Sequence, residues 1–248
     1  MTTRGGIIIE FRDVWKSFNN HQVLKGLSLS IFRGETLVIL GRSGCGKSVT
    51  LKILLGLIPP DSGSVIVDGI DIAALPEREL FPIRRRMGML FQGSALFDSL
   101  TIGENVAFAL KEHTTMSQEE IDEIVAKNLL FVDMAGTENL MPSELSGGMK
   151  KRVALARAMA YQPEILLYDE PTTGLDPITA TTINALIRKT QAEYGVTSIV
   201  VTHELASGFS VADRVAVMDG GRILEIGTVE EIKKSSNEFI QTFIAGPK

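Results

Sequence analysis

With 248 residues, 44% of them hydrophobic and 22% charged, the chain has the apolar content for one large domain, or for a core carrying an inserted subdomain. A formal charge of −5 lacks the basic surplus of a broad nucleic-acid-binding face, so no nucleic-acid partner is expected. The single cysteine, Cys45, excludes an intrachain disulfide and fits a reducing compartment.

The opening "MTTRGGIIIE" runs only three apolar residues together before Glu10, too few for a signal-peptide core. No later stretch approaches the roughly 20 apolar residues that span a bilayer, so work at a membrane would need a partner to hold the chain there. "IIIEF" and "LSLSI" alternate apolar and polar residues as half-buried strands do. "TLVIL" (36–40) is instead continuously apolar, the pattern of a parallel strand covered on both faces.

"GRSGCGKS" follows at once, and "VTLKILLGL" after it reads as a helix. Gly41, Arg42, Ser43, Gly44, Cys45, Gly46, Lys47 and Ser48 therefore fit a phosphate-binding loop between a buried strand and a helix start. Its glycines let backbone N–H groups wrap phosphates, and the helix N-terminus adds positive potential. Lys47 would reach the β- and γ-phosphates and the Ser48 hydroxyl would ligate Mg²⁺. In Cys45 only small size is expected to matter. "VIVDGIDI" carries an Asp-Gly hairpin signal, and "RRR" (84–86) reads as a solvated or partner-facing surface.

From about residue 93 to 160 the pattern is helical and is expected to form a subdomain inserted between two core strands. Ser117 and Glu120 have capping-box spacing, with Ile121, Ile124, Val125 and Leu129 on one face behind them. "LSGGMKKRVALARAMA" opens another helix on two glycines. Ser146, Gly147 and Gly148 could receive an anion there, or Ser146 could simply cap the helix. The basic "KKR" (150–152) could add positive field or merely be exposed.

"ILLYDE" is a second continuous apolar strand, ending in adjacent carboxylates. Neighbouring strand residues point apart, so Asp169 and Glu170 cannot do the same job. Asp169 would join the Mg²⁺ shell and Glu170 would face the attacking water. "SIVV" repeats the buried-strand pattern, "RVAVMDGGRILEIG" reads as a hairpin turning at residues 219–221, and "EFIQTFIAG" carries an apolar stripe of Phe239, Ile240, Phe243 and Ile244. That stripe could cover the chain's own core or pack a partner. Buried strands each followed by helices predict an α/β P-loop fold with its ligand at the carboxyl ends of the strands.

The ordered set "GRSGCGKS", "LSGGM" with its basic helix, "ILLYDEPTTGLDP" and a strand ending in histidine resembles the ATPase subunit of ABC transporters, over nearly the whole length. The resemblance implies a single ABC nucleotide-binding domain over residues 1–248: a RecA-like core, an N-terminal antiparallel β subdomain and the inserted helical subdomain. It also implies ATP as substrate with Mg²⁺, and a head-to-tail homodimer in which the signature residues Ser146, Gly147 and Gly148 of one copy close over the nucleotide of the other. By the same likeness Phe18 stacks on adenine, Gln92 touches Mg²⁺ and the water, Asp176 crosses the dimer interface and His203 contacts the γ-phosphate and steadies Glu170. Asp176 reads equally well as the N-cap before Pro177. Val49, flanking the loop, departs from the hydroxyl residue usual in the family.

Within that family, "MLFQGSALFDSLTIGENVAFALKEHT" and "LMPSELSGGM" are most similar to the ATPase of Mla-type, MCE-linked phospholipid transport systems. This implies an integral-membrane permease dimer, an MCE-domain protein, in some relatives a small STAS-domain protein, and a peripheral position on the cytoplasmic side of the inner membrane. The alternatives are an importer ATPase for amino acids or ions and a soluble ABC ATPase of the iron–sulfur assembly type. A P-loop kinase would leave residues 145–149 without a purpose.

Overall fold

The computed structural model describes residues 5–246. Strands β1 (Ile7–Phe18) and β2 (His21–Phe32) form a long hairpin around Asn19 and Asn20. Both asparagines are left-handed (φ 45° and 65°), the conformation a two-residue hairpin turn demands and asparagine tolerates. After β3 (Thr36–Leu40) and α1 (Lys47–Leu54), β4 (Ser62–Val67) turns through Asp68 and Gly69 into the short β5 (Ile70–Asp71). These strands, without β3, make an antiparallel sheet in the order β2-β1-β4-β5.

Next come α2 (Glu77–Arg84), β6 (Met87–Leu90), α3 (Ile102–His113), α4 (Gln118–Phe131), α5 (Gly147–Met159), β7 (Ile165–Asp169), α6 (Pro177–Tyr194), β8 (Thr197–Thr202) and α7 (Leu205–Val211). The chain ends with β9 (Arg214–Asp219), β10 (Arg222–Gly227), α8 (Val229–Lys233) and α9 (Glu238–Ala245). The second sheet runs β10-β9-β3-β8-β7-β6; every pair from β9 to β6 is parallel and only β10 at the edge is antiparallel. Helices α3, α4 and α5 all lie in the connection between the adjacent parallel strands β6 and β7.

The period of two along the central strands divides the core. Leu37, Ile39, Leu167, Ile199 and Val201 face the antiparallel sheet, packing with Phe11, Leu24, Leu51 and Val65. Val38, Leu40, Leu166, Tyr168 and Val200 face the other way, into the helices, with Val106, Leu129, Leu155 and Ile187. Both faces are covered, which is why these strands read as unbroken apolar runs. The capping box at Ser117 is formed reciprocally with Glu120, and Ile121, Val125 and Leu129 are buried behind it. In α9, Ile240 is fully buried and Phe239, Phe243 and Ile244 pack half-buried on the same core, so the stripe covers the chain's own interior.

Candidate active site

The carboxyl ends of β3, β7 and β8 meet the start of α1, and the candidate site residues gather there. Gly46 caps α1 with φ 113°, and a Cβ on it would lie 2.8 Å from both Leu24 Cδ2 and Met218 Cε, so only glycine lets the loop turn so tightly into its helix. Lys47 is buried; its Nζ donates to the carbonyls of Gly41 (2.8 Å) and Arg42 (3.1 Å) and stands 3.5 Å from Glu170 Oε1. Arg42, Ser43 and Gly44 are exposed at the loop crest. Val49 is half-buried and packs on the core, so apolar contact takes the place of a hydroxyl. Burial pushes the Cys45 thiol up and keeps it protonated.

Asp169 closes β7 and accepts a hydrogen bond from Ser48 Oγ at 2.9 Å. Glu170 follows in the left-handed region (φ 48°), rare for a residue with a side chain, and this re-aims its carboxylate away from Asp169. Its Oε2 accepts from the hydroxyls of Thr173 (3.1 Å) and Thr202 (3.2 Å) and from the His203 N–H (3.4 Å), and His203 Nδ1 lies 2.9 Å away. The only close partner of Oε1 among the described residues is Lys47. The two acids consequently titrate in opposite directions. Burial raises Asp169, with the Ser48 hydrogen bond opposing it. For Glu170 burial also pushes upward, but the His203 hydrogen bond and the Lys47 charge outweigh it and hold the carboxyl below its ordinary value.

The other residues sit around this cluster. Ser146 and Gly147 are exposed; Ser146 Oγ accepts from Met149 N–H and caps α5, so it makes no bond to the phosphate loop of its own chain. Gly148 is buried against α6: a Cβ there would meet Thr179 Cγ2 at 2.2 Å. Asp176 caps α6, accepting from the N–H groups of Ile178 and Thr179. Phe18 is exposed at the end of β1, with Lys16 Nζ 5.4 Å from its ring centroid. Gln92 is exposed, and no hydrogen bond joins its side chain to Ser48 or Asp169; what is held is its carbonyl, by Lys151.

Two basic runs make contacts within the chain that their sequence does not show. In "KKR", Lys151 is buried at 4% exposure. It stands three residues after Gly148 and four before Leu155, both buried, so the helical period alone points it inward. In "RRR", Arg85 is exposed and Arg84 and Arg86 are half-buried, and each has partners on its own chain. Arg84 donates to the Leu55 and Gly56 carbonyls beyond α1, Arg85 stacks on Tyr161, and Arg86 pairs with Asp68 and Glu164. Spacing gave no sign of Thr173 and Thr202, the hydroxyls that complete the Glu170 cage.

A glycine-rich strand-to-helix loop with a buried lysine, facing a carboxylate pair on the next strand but one, defines a P-loop nucleoside-triphosphate hydrolase. The family model described as "ABC transporter" matches residues 24–173. A phospholipid transport ATP-binding protein, MlaF of Haemophilus influenzae, is 38% identical, over 96% of this chain and 90% of that one. The methionine import ATP-binding protein MetN of Leifsonia xyli is 46% identical, over 90% and 66%. A dimeric ATP-binding cassette solved with ADP and phosphate superposes with a TM-score of 0.82 at 34% identity, covering 90% of this chain and 99% of that one. The chain belongs to the ABC transporter family, and it is an ATPase of that family.

Proposed function

We propose that this chain powers phospholipid transport through a separate membrane permease, working as a head-to-tail pair in which each ATP is held by two copies. The observation that carries the ATP-driven part of the reading is the single cluster formed by Lys47, Ser48, Asp169, Glu170 and His203. In it Lys47 leaves its loop carbonyls for the β- and γ-phosphates as the main-chain N–H groups of residues 41–48 wrap them. Phe18 offers an exposed face for adenine.

Among the described residues no group of three or more His, Cys, Asp or Glu could hold a metal by itself. Ser48 Oγ and Asp169 Oδ1 do offer two hard oxygens 2.9 Å apart, which suits Mg²⁺, an ion that fills its shell with water and phosphate oxygens; Gln92 is proposed as a further contact. Bound there, Mg²⁺ would offset charge developing on the phosphate oxygens. Glu170 has one oxygen fully engaged and the other facing Lys47, so Oε1 is the atom that turns to the attacking water once Lys47 moves to phosphate. His203 holds that carboxylate in place and reaches the γ-phosphate.

The second copy follows from what one chain leaves unused. Ser146 and Gly147 open α5 at the surface, and Ile178, beside Asp176, is 82% exposed. A partner's nucleotide and α6 would cover both. The permease follows from the helical segment, proposed as a subdomain over about 93–160. Phe81 meets His113 edge-on at 5.0 Å and Phe97 meets Phe108 at 4.6 Å, and all three phenylalanines are exposed. Among the described residues no helix is long and apolar enough to cross a membrane, and these two exposed aromatic pairs are proposed to dock on a permease at the cytoplasmic side. MlaF, matched over nearly the full length of both chains, supports phospholipid as cargo, and an MCE-domain protein and a small STAS-domain protein belong to the proposed assembly through the same resemblance. MetN supports an amino-acid importer as the second reading.

Glu170→Gln tests the site: it should bind ATP as well as wild type, lose turnover by about a thousandfold or more and accumulate the ATP-bound pair. Normal turnover would remove Glu170 from its role. Purification of the complex from detergent-extracted membranes tests the cargo. Phospholipid-stimulated ATPase activity supports the first reading, and methionine-stimulated activity the second.

A further inference from the structure

A buried ammonium is costly unless its hydrogen bonds are made. Lys151 is 4% exposed, yet no carboxylate among the described residues lies within 4 Å of it. Its Nζ donates instead to three main-chain carbonyls: Gln92, Phe91 (3.4 Å) and Glu170 (3.3 Å). Three donors thus meet three acceptors drawn from two loops, one after β6 and one after β7. Six residues further along the same helix, Arg157 donates to Ser94 O (2.9 Å) and Ala95 O (2.7 Å), both in left-handed backbone (φ 63° and 51°). So α5, which begins at Ser146 and Gly147, grips residues 91–95 at both ends and grips Glu170 through its carbonyl.

We propose that Lys151 is a positioning residue: it fixes the left-handed main chain of Glu170, and hence its carboxylate, and makes that carboxylate and the Gln92 segment move with the helix that receives the second copy's nucleotide. Left-handed backbone at a residue with a side chain is disfavoured, and it persists only where surrounding contacts over-determine it. The hydroxyls of Thr173 and Thr202 hold the carboxylate, and Lys151 holds the other end of the residue. A displacement of α5 therefore reaches both the water-facing carboxylate and the loop leading to the helical segment. A lysine at this point is a joint, and its loss should affect the reaction more than nucleotide capture.

The inference rests on the reading of Glu170 as the water-orienting group, and the test separates the two. In Lys151→Met the stem remains and the donors go. Expected are ATP affinity and KM within about twofold of wild type with kcat down by about tenfold or more. Lys151→Gln keeps two donors and should recover part of the loss; if Lys151→Met does not fold, Lys151→Gln is read against wild type by the same split. A kcat within about twofold of wild type, or KM and kcat worsening together, overturns the proposal. Glu170→Gln is assayed alongside. If it is inactive while Lys151→Met is fully active, only the positioning role fails; if it turns over normally, the reading of the site fails.

Discussion

Asp169 and Glu170 are adjacent, yet folding treats them in opposite ways. Asp169 has a folded value above its ordinary 3.8, because burial disfavours its charge. Its ionisation therefore opposes folding; the penalty begins as pH rises through the unfolded value and is complete above the folded one. Asp169→Asn should accordingly raise the melting temperature of the nucleotide-free protein at pH 7, with the gain fading as pH falls toward about 4. A melting temperature unchanged or lowered at pH 7 would contradict the assignment. Glu170 has the opposite sign: its depressed value stabilises the fold above about pH 4.5, and that contribution is lost as pH falls through the folded value. Glu170→Gln should thus lower the melting temperature at pH 7, and less so in acid. At this scale the sequence showed the phosphate loop and the carboxylate pair, whose members are contiguous in the chain. The family resemblance brought His203 to Glu170, but nothing in the chain pointed to the Thr202 hydroxyl, which is 32 residues away and arrives only through the parallel pairing of β7 with β8.

Among the elements, α5 packs against β6, α3, α4 and α6 and holds the Gln92 and Glu170 carbonyls through Lys151. Gly148 lets it lie against α6, with space only because no Cβ stands 2.2 Å from Thr179 Cγ2. Gly148→Ala should destabilise the protein by roughly 1–3 kcal/mol through overpacking, read as a lower urea midpoint. Thr179→Ser, which removes that methyl, should restore part of the loss in the double variant; simple additivity would show that the two do not share the space. Long apolar runs made β3, β7 and β8 legible, and the capping box marked the start of α4. Strand β6 was not legible. It is four residues long and contains Gly88, a weak strand former, and it exists because β7 pairs with it. Likewise the inward aim of Lys151 was readable from the helical period, but its three carbonyl partners were not, since they lie in two distant loops.

For the whole molecule, the described residues of one chain bring the phosphate loop and the carboxylate cage into one cluster, and no bond of that cluster comes from Ser146 or Gly147. Ser146 and Gly147 are left at the surface with the helix start they open, and Ile178, next in the chain to the Thr179 that packs on Gly148, is exposed too. This is the arrangement expected of half a site. In this arrangement the signature segment keeps the helix start that suits an anion, with Ser146 engaged only in capping α5. The measurement that tests this most directly is the sedimentation mass of Glu170→Gln with and without ATP, beside the double variant Glu170→Gln/Ser146→Arg. If each nucleotide is shared by two copies, ATP doubles the mass of the single variant, and the double variant binds ATP yet stays at the mass of one chain. A Glu170→Gln protein saturated with ATP and still at the mass of one chain would contradict it.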